Sequence, residues 1–307
     1  MEALGISFAF DWEIRLMAFL QAHLGEVGEF LAVSVTLLGE QLMVVVVLGF
    51  LYWCYDKNLA RRVGASALTA MLWGLMLKSL ILRRRPYMDH PEIRVLRPVE
   101  PGDVSDPLVQ GYSFPSAHTT LASSTYWPLA AAAKNRLVRG VFLVLPLLIG
   151  VSRFLVGVHY PTDVLAGFAL GALGLLVSAL LNRYAKKEWV YNALLVILVL
   201  PGLLFCRTSD YYTLLGVLLG YLAGDAFEKR FVNFENTRGI GSNLLRLTGG
   251  AAIYFALNAL LKLPFDPAFL ASGSMAALLV RAARYTIILF VDIGLYPMAF
   301  MRLEKRK

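Results

Sequence analysis

Three short stretches of this sequence hold side chains that together could transfer a phosphoryl group. Lys78, Arg85 and Pro86 follow the pattern K-x6-RP, Pro115, Ser116 and His118 follow PS-x-H, and Ser152, Arg153, His159 and Asp163 follow SR-x5-H-x3-D. Lys78, Arg85 and Arg153 are cations suited to a phosphate and to the charge spread over its equatorial oxygens in the transition state; the arginines can make bidentate contacts. Pro115 before Ser116 is a helix-start arrangement, so the backbone N–H groups of residues 116–118, Ala117 among them, can point at an anion. Ser116 adds a hydroxyl.

The two histidines supply a nucleophile and a proton donor. Asp163 lies four residues after His159 with Pro161 between them, a spacing that lets the carboxylate accept from one imidazole nitrogen and aim the other. His159 is therefore read as the nucleophile. His118 has no acidic neighbour in sequence and stands beside the phosphate cradle, so it is read as the general acid. The fixed cations take the place of a metal ion, and no metal or other cofactor is expected.

These segments resemble the three motifs of the type 2 phosphatidic acid phosphatase (PAP2) superfamily, whose members include glucose-6-phosphatase, bacterial acid phosphatases and vanadium haloperoxidases. The resemblance covers residues 78–163. It implies a phosphohistidine on His159 oriented by Asp163, with His118 as acid and Lys78, Arg85, Ser116, Ala117 and Arg153 holding phosphate. Ala117 stands where the family usually has glycine, which a helix N-terminus tolerates.

The elements that must position these residues are apolar. Of 307 residues 58% are hydrophobic and 16% charged, too little polar surface to coat a soluble globule of this size. Stretches of roughly 20 apolar residues suffice to cross a bilayer, and about nine occur, near 30–54, 60–82, 116–133, 138–157, 162–182, 188–206, 210–227, 243–262 and 270–299. The expected fold is all-α, a polytopic transmembrane helical bundle with a PAP2-type core. Residues 12–27 alternate apolar and polar at helical period, as an interfacial amphipathic helix or the outer end of a tilted first span. Glu2, Asp11 and Glu13 stand where a cleaved signal would need basic residues.

The net charge of +8 would suggest nucleic acid in a soluble protein, but the cations cluster in alternate loops between apolar runs. Lys57, Arg61 and Arg62 form the first cluster, Lys134, Arg136 and Arg139 the second, Arg183, Lys186 and Lys187 the third. Lys229, Arg230 and Arg238 form the fourth, and Arg302, Lys305, Arg306 and Lys307 the last. All share one side if the spans are odd in number, with the N-terminus outside and the C-terminus cytoplasmic. Loop 83–115 then lies outside despite five arginines mixed with acids, which marks it for chemistry.

The expected organisation is an N-terminal segment 1–27, a catalytic membrane core 28–206 and additional C-terminal transmembrane helices 207–307; nine-span relatives such as glucose-6-phosphatase and the sphingosine-1-phosphate phosphatases are similar in this respect. Glycine stripes at Gly167 and Gly171, and at Gly216, Gly220 and Gly224, suit close packing within the chain first and a homodimer second. Glu40, Asp225, Arg281, Arg284 and Asp292 fall inside apolar stretches and should face protein or water; structural ion pairs, such as the arginines with Asp292 or Asp225, are expected ahead of an ion or proton pathway. Cys54 and Cys206 are read as packing residues.

The function so implied is a metal-independent membrane phosphatase. Its expected substrate is a lipid phosphate or lipid pyrophosphate reaching the site from the outer leaflet of a bacterial plasma membrane. The alternatives are a soluble phosphate ester as substrate, or a phosphate-binding membrane protein or transporter without turnover.

Overall fold

The computed structural model describes residues 5–237 and 239–304. Glu2, Arg238, Lys305, Arg306 and Lys307 of the sequence reading lie outside these residues, as does the side chain of Arg302. The described residues form an all-helical structure with one isolated bridge, between Ile6 and Arg83. They group into two compact units, Met1–Val45 with Trp73–Val177, and Val46–Leu72 with Ser178–Lys307.

The first unit contains α1 (Asp11–His23), α2 (Gly25–Leu37), the start of α3 (Gln41–Phe50) and the end of α4 (Lys57–Ile81). After these come the single turns α5 (Pro86–Asp89) and α6 (Pro107–Gln110), then α7 (Ala117–Ala132), α8 (Arg136–Leu155) and α9 (Pro161–Tyr184). The second unit takes the remainder of α3, α4 and α9, then α10 (Glu188–Ile197), α11 (Ser209–Phe227), α12 (Ile240–Leu260), α13 (Pro267–Ala271), α14 (Met275–Phe290) and α15 (Pro297–Glu304).

Three of these helices, α4, α8 and α9, are long and apolar enough to cross a membrane. Leu137, Val141 and Leu148 on α8 and Leu165, Leu173 and Leu180 on α9 are exposed, as expected of helix faces turned to lipid. The expected first span, 30–54, is not one straight helix. The α-helix stops at Leu37, resumes at Gln41, and leaves Glu40 in the break. Ahead of it α1 and α2 meet at 118°. Helix α1 buries Glu13, Met17 and Gln21 on one face and exposes Trp12, Leu16 and Phe19.

Helix α7 starts at Ser116, whose side chain caps it, and carries Thr119, Thr120, Ser123 and Ser124 as a buried hydroxyl stripe. The Ser123 hydroxyl donates back to the Thr119 carbonyl at 2.7 Å, which satisfies it without a partner helix. Gly167 and Gly171 of α9 meet this stripe. A Cβ at Gly167 would sit 2.8 Å from the Ser116 carbonyl, and one at Gly171 would sit 1.9 Å from Ser123 Oγ. This close approach holds the helices of the second and third motifs together.

In the second unit the other glycine stripe packs against α14: a Cβ at Gly216 would lie 2.2 Å from the Ala282 carbonyl, and one at Gly220 would lie 2.3 Å from that of Thr286. The expected pairing of the last span's arginines with Asp225 or Asp292 does not occur. Asp225 pairs with Arg61 and, at 2.8 Å, with Lys229, while Arg284 donates to Asn258 Oδ1 at 3.0 Å. Arg61 also holds the fully buried Glu228, which Lys57 meets at 3.0 Å. Residues assigned to a topology cluster thus neutralise carboxylates that burial would otherwise penalise. Cys54 and Cys206 are both buried and free.

Candidate active site

The site lies within the first unit and begins at the end of α4. Lys78, in the last turn of that helix, donates to the carbonyls of Tyr112 at 2.5 Å and Pro115 at 3.2 Å. The helix ends at Ile81, and Leu82 takes φ +53°, the left-handed conformation that closes many helices. Ile6 pairs with this corner, its N–H donating to Leu82 at 2.9 Å and its carbonyl accepting from Arg84 at 3.0 Å. Arg85 is anchored by three carbonyls: Gln110 at 3.1 Å, Gly111 at 3.0 Å and Val158 at 3.2 Å. Loop 83–115 and the third motif are therefore tied through one guanidinium.

At the start of α7 the Ser116 N–H donates to the Asp163 carbonyl at 3.0 Å, and Ser116 Oγ accepts from Thr119 Oγ1 at 3.0 Å. Ala117 and His118 follow in the first turn, where backbone N–H groups lack intrahelical acceptors. Such a turn offers donors and a positive dipole end to an anion.

Arg153 sits near the end of α8, buried, with one guanidinium nitrogen on the Thr36 hydroxyl and Nε without a hydrogen-bond partner in the protein. Two residues beyond the end of α8, Gly157 adopts φ +82° and passes so close to Arg94 that a Cβ would lie 2.2 Å from its carbonyl. Only glycine fits that position without displacement. The reversal it makes delivers His159 ahead of Pro161, which opens α9.

His159 is 2% exposed. Burial, reinforced by Arg85, Arg153, Lys78 and His118, pushes its pKa well below the ordinary histidine value. The imidazole is therefore held neutral, with a lone pair available at neutral pH. Around it the structure gathers all the residues singled out from sequence: Lys78, Arg85 and Arg153, the Ser116–Ala117–His118 turn, and Asp163.

One expected contact differs. His159 Nδ1 stands 3.6 Å from Asp163 Oδ2, beyond hydrogen-bond reach, because the carboxylate is already engaged. The Ser113 hydroxyl and the Tyr160 N–H (2.8 Å) donate to Oδ2, and Arg83 donates to Oδ1 at 2.7 Å. Asp163 thus fixes the backbone at Tyr160 and the motif loop at Ser113, and stands near the imidazole as a fixed negative charge.

Four residues of this neighbourhood were missed as site components. Arg83, one of the five arginines of loop 83–115, is 2% exposed and lies 3.8 Å over the Tyr160 ring. Its other arm reaches Glu13 at 2.7 Å, and Glu13 in turn accepts from the N–H and hydroxyl of Thr162 at 3.0 and 2.6 Å. Glu40 Oε1 lies 3.2 Å from His118 Nε2 and 3.2 Å from Arg97, although the imidazole nitrogen is not aligned for a hydrogen bond. An ionisable group inside an apolar stretch was the available signal for Glu40, and membership of the arginine-rich loop 83–115 was the signal for Arg83 and Arg97; Glu13 carried none.

The chain also matches known proteins. The PAP2 superfamily family model matches residues 59–187, and a second one, PAP2 superfamily phosphatase, transmembrane extension, matches residues 212–307. Decaprenylphosphoryl-5-phosphoribose phosphatase of Mycobacterium tuberculosis is 42% identical over 109 residues, 36% of this chain and 53% of that protein. Phosphatidylglycerophosphatase B of Bacillus subtilis is 37% identical over 78 residues, covering 22% of this chain and 38% of that protein. Bacitracin transport permease protein BcrC of Bacillus licheniformis is 31% identical over 193 residues, 57% of this chain and 90% of that relative. The chain thus spans about half the length of the mycobacterial relative and nearly all of BcrC. No solved structure matches.

Proposed function

Since this chain belongs to the PAP2 superfamily, we propose that it is an integral membrane phosphatase that hydrolyses a lipid phosphate or lipid pyrophosphate through a phosphohistidine. The observation that carries this reading is a neutral, buried His159 facing Lys78, Arg85, Arg153 and His118. Pure anion binding needs the cations but not a matched nucleophile and acid.

In the proposed reaction the phosphate is held by Lys78, Arg85, Arg153, the Ser116 hydroxyl and the N–H groups of Ala117 and His118. Nδ1 of His159 faces Asp163, so Nε2 attacks phosphorus. The N–P bond forms as the P–O bond to the leaving group breaks, and His118 gives its proton to that oxygen. Water then attacks the phosphohistidine, His118 takes the water proton, and His159 leaves as neutral imidazole. The arginines neutralise the equatorial oxygens in both steps.

The lipid assignment is supported by the apolar helices and by relatives whose names specify lipid-linked substrates, decaprenylphosphoryl-5-phosphoribose, phosphatidylglycerophosphate and lipid A. The charge pattern supports about nine spans, the N-terminus outside, the C-terminus cytoplasmic, and loop 83–115 with the site on the outward face of a bacterial plasma membrane. The catalytic core is assigned to residues 28–206 and an extension to 207–307. A transporter without turnover is the second reading, favoured by the permease name of BcrC.

Phosphate release by purified protein in detergent, with chelator present, tests this reading across lipid phosphates, lipid pyrophosphates and glucose 6-phosphate. Turnover of lipid substrates is expected, with loss in His159→Ala and strong reduction in His118→Ala. Activity that survives His159→Ala, or vanishes with chelator, overturns the mechanism, and no turnover of any substrate favours the transporter. Labelling of single cysteines in loop 83–115 from outside intact cells tests the sidedness.

A further inference from the structure

Glu40 is a carboxylate in the break between α2 and α3, inside a stretch otherwise apolar enough to suit lipid. A carboxylate in such a place is costly unless something uses it. Its Oε1 meets two groups, Arg97 at 3.2 Å and His118 Nε2 at 3.2 Å. Asp163, the acidic residue that motif spacing places beside the other histidine, is saturated by Arg83, Ser113 and the Tyr160 N–H and stands 3.6 Å from the His159 ring. Each histidine thus has a carboxylate nearby, and only Asp163 is visible in the motif spacing.

The geometry points to Glu40 as a positioning residue that raises the proton affinity of His118, the proton donor to the leaving group. The inference rests on the phosphatase reading above and adds a residue that no motif contains. The charged and titratable groups facing His118 are Arg153, Arg97, Glu40 and His159. Burial first, and then the permanent cations Arg153 and Arg97, oppose a positive charge on His118, while His159 is a neutral imidazole. The Glu40 carboxylate 3.2 Å away is the group that acts against them and offsets part of their effect, and Arg97 fixes that carboxylate from its other side. Because the imidazole N–H is not aligned on Glu40, the proton is stabilised without being committed to it. During the reaction the proton passes from His118 to the leaving alkoxide and returns from water in the second step, while Glu40 keeps its charge throughout.

Leaving groups of different basicity test this directly. An alkyl phosphate needs a proton delivered to its alkoxide, whereas a nitrophenyl phosphate bearing the same alkyl chain leaves as a stable phenolate. Glu40→Gln is expected to lower kcat on the alkyl substrate by about 10- to 100-fold, within the range of general-acid catalysis. On the nitrophenyl substrate it should change kcat by less than about threefold, since the proton is not needed there. His118→Ala should show the same selectivity, and Glu40→Gln added to it should cost nothing further. The basic limb of kcat/KM on the alkyl substrate should move to lower pH in Glu40→Gln and return toward wild type in Glu40→Asp.

Equal loss on both substrates, or no loss on either, overturns the role of Glu40 while leaving the phosphatase reading intact. Failure of the wild type to turn over either substrate overturns the phosphatase reading itself. If Glu40→Gln does not fold, Glu40→Asp carries the test: an unshifted basic limb and an unselective rate loss would reject the proposal.

Discussion

Arg83 Nη1 donates to Asp163 Oδ1 at 2.7 Å inside the protein, with both side chains at most 3% exposed, and the other arm of the same guanidinium closes on Glu13 at 2.7 Å. One cation thus serves two buried carboxylates, one on helix α1 and one on helix α9. Removing it would leave two charges unpaired out of water, the situation in which breaking a buried pair costs about 3–5 kcal/mol. Arg83→Met should lower the denaturation midpoint in detergent strongly. Glu13→Gln keeps a carbonyl acceptor for Thr162 and should cost less. If both variants leave the midpoint unchanged, the network does not hold the site together.

Gly157 is expected to tolerate no side chain. Its φ is +82°, and a Cβ there would stand 2.2 Å from the Arg94 carbonyl, so Gly157→Ala must push the loop carrying His159 outward. A displacement on the order of 1 Å at a reacting atom can cost about 100-fold in rate. Gly157→Ala should therefore lose kcat far more than KM, and wild-type rates in the variant would show that the loop can yield without moving the imidazole.

The depressed pKa of His159 has a definite sign in a pH profile. In the proposed mechanism its neutral form is the reactive one, and its pKa lies below the ordinary value of 6.5, so the acidic limb of kcat/KM that belongs to the proposed nucleophile should fall below pH 6.5. Lys78 contributes to that depression, and Lys78→Met should move the limb upward as well as weaken phosphate binding. For stability the direction is also fixed. The unfolded chain takes up the His159 proton as pH falls through 6.5 while the folded chain does not, so this group destabilises the fold from there down to its own lower pKa. An acidic limb above pH 6.5 would show that His159 is not shielded as described.

In the second unit, Arg61 is the expected weak point. It contacts Asp225 and Glu228, of which Glu228 is fully buried. Arg61→Met should destabilise the protein by about 3–5 kcal/mol, measured by denaturation in detergent. The double variant Arg61→Met with Glu228→Gln should recover part of that loss. Independent, additive losses would mean that the two residues do not act as a pair.

The sequence by itself determined the helical class, the membrane setting and the candidate site residues, and each for a physical reason. Apolar runs of spanning length fit only helices when lipid is the solvent, and phosphoryl transfer at fixed cations demands residue types rare in such runs. Lys78, Arg85, Ser116, His118, Arg153, His159 and Asp163 were legible because they sit at the ends of those runs in mutual register. What only the tertiary structure decided is which charges meet. Asp163 was expected on His159 by spacing, yet it is occupied by the local Tyr160 N–H and by Arg83 and Ser113, which chain folding brings from other segments. Glu13 and Glu40 reach the site from 149 residues before Thr162 and from the break after α2, where no periodicity marks them. Arg61 read as a topology charge until the fold set it beside Asp225. Periodicity records which face of a helix avoids water; the partner of a buried charge is set by how separate helices pack, and that information is not local in the chain.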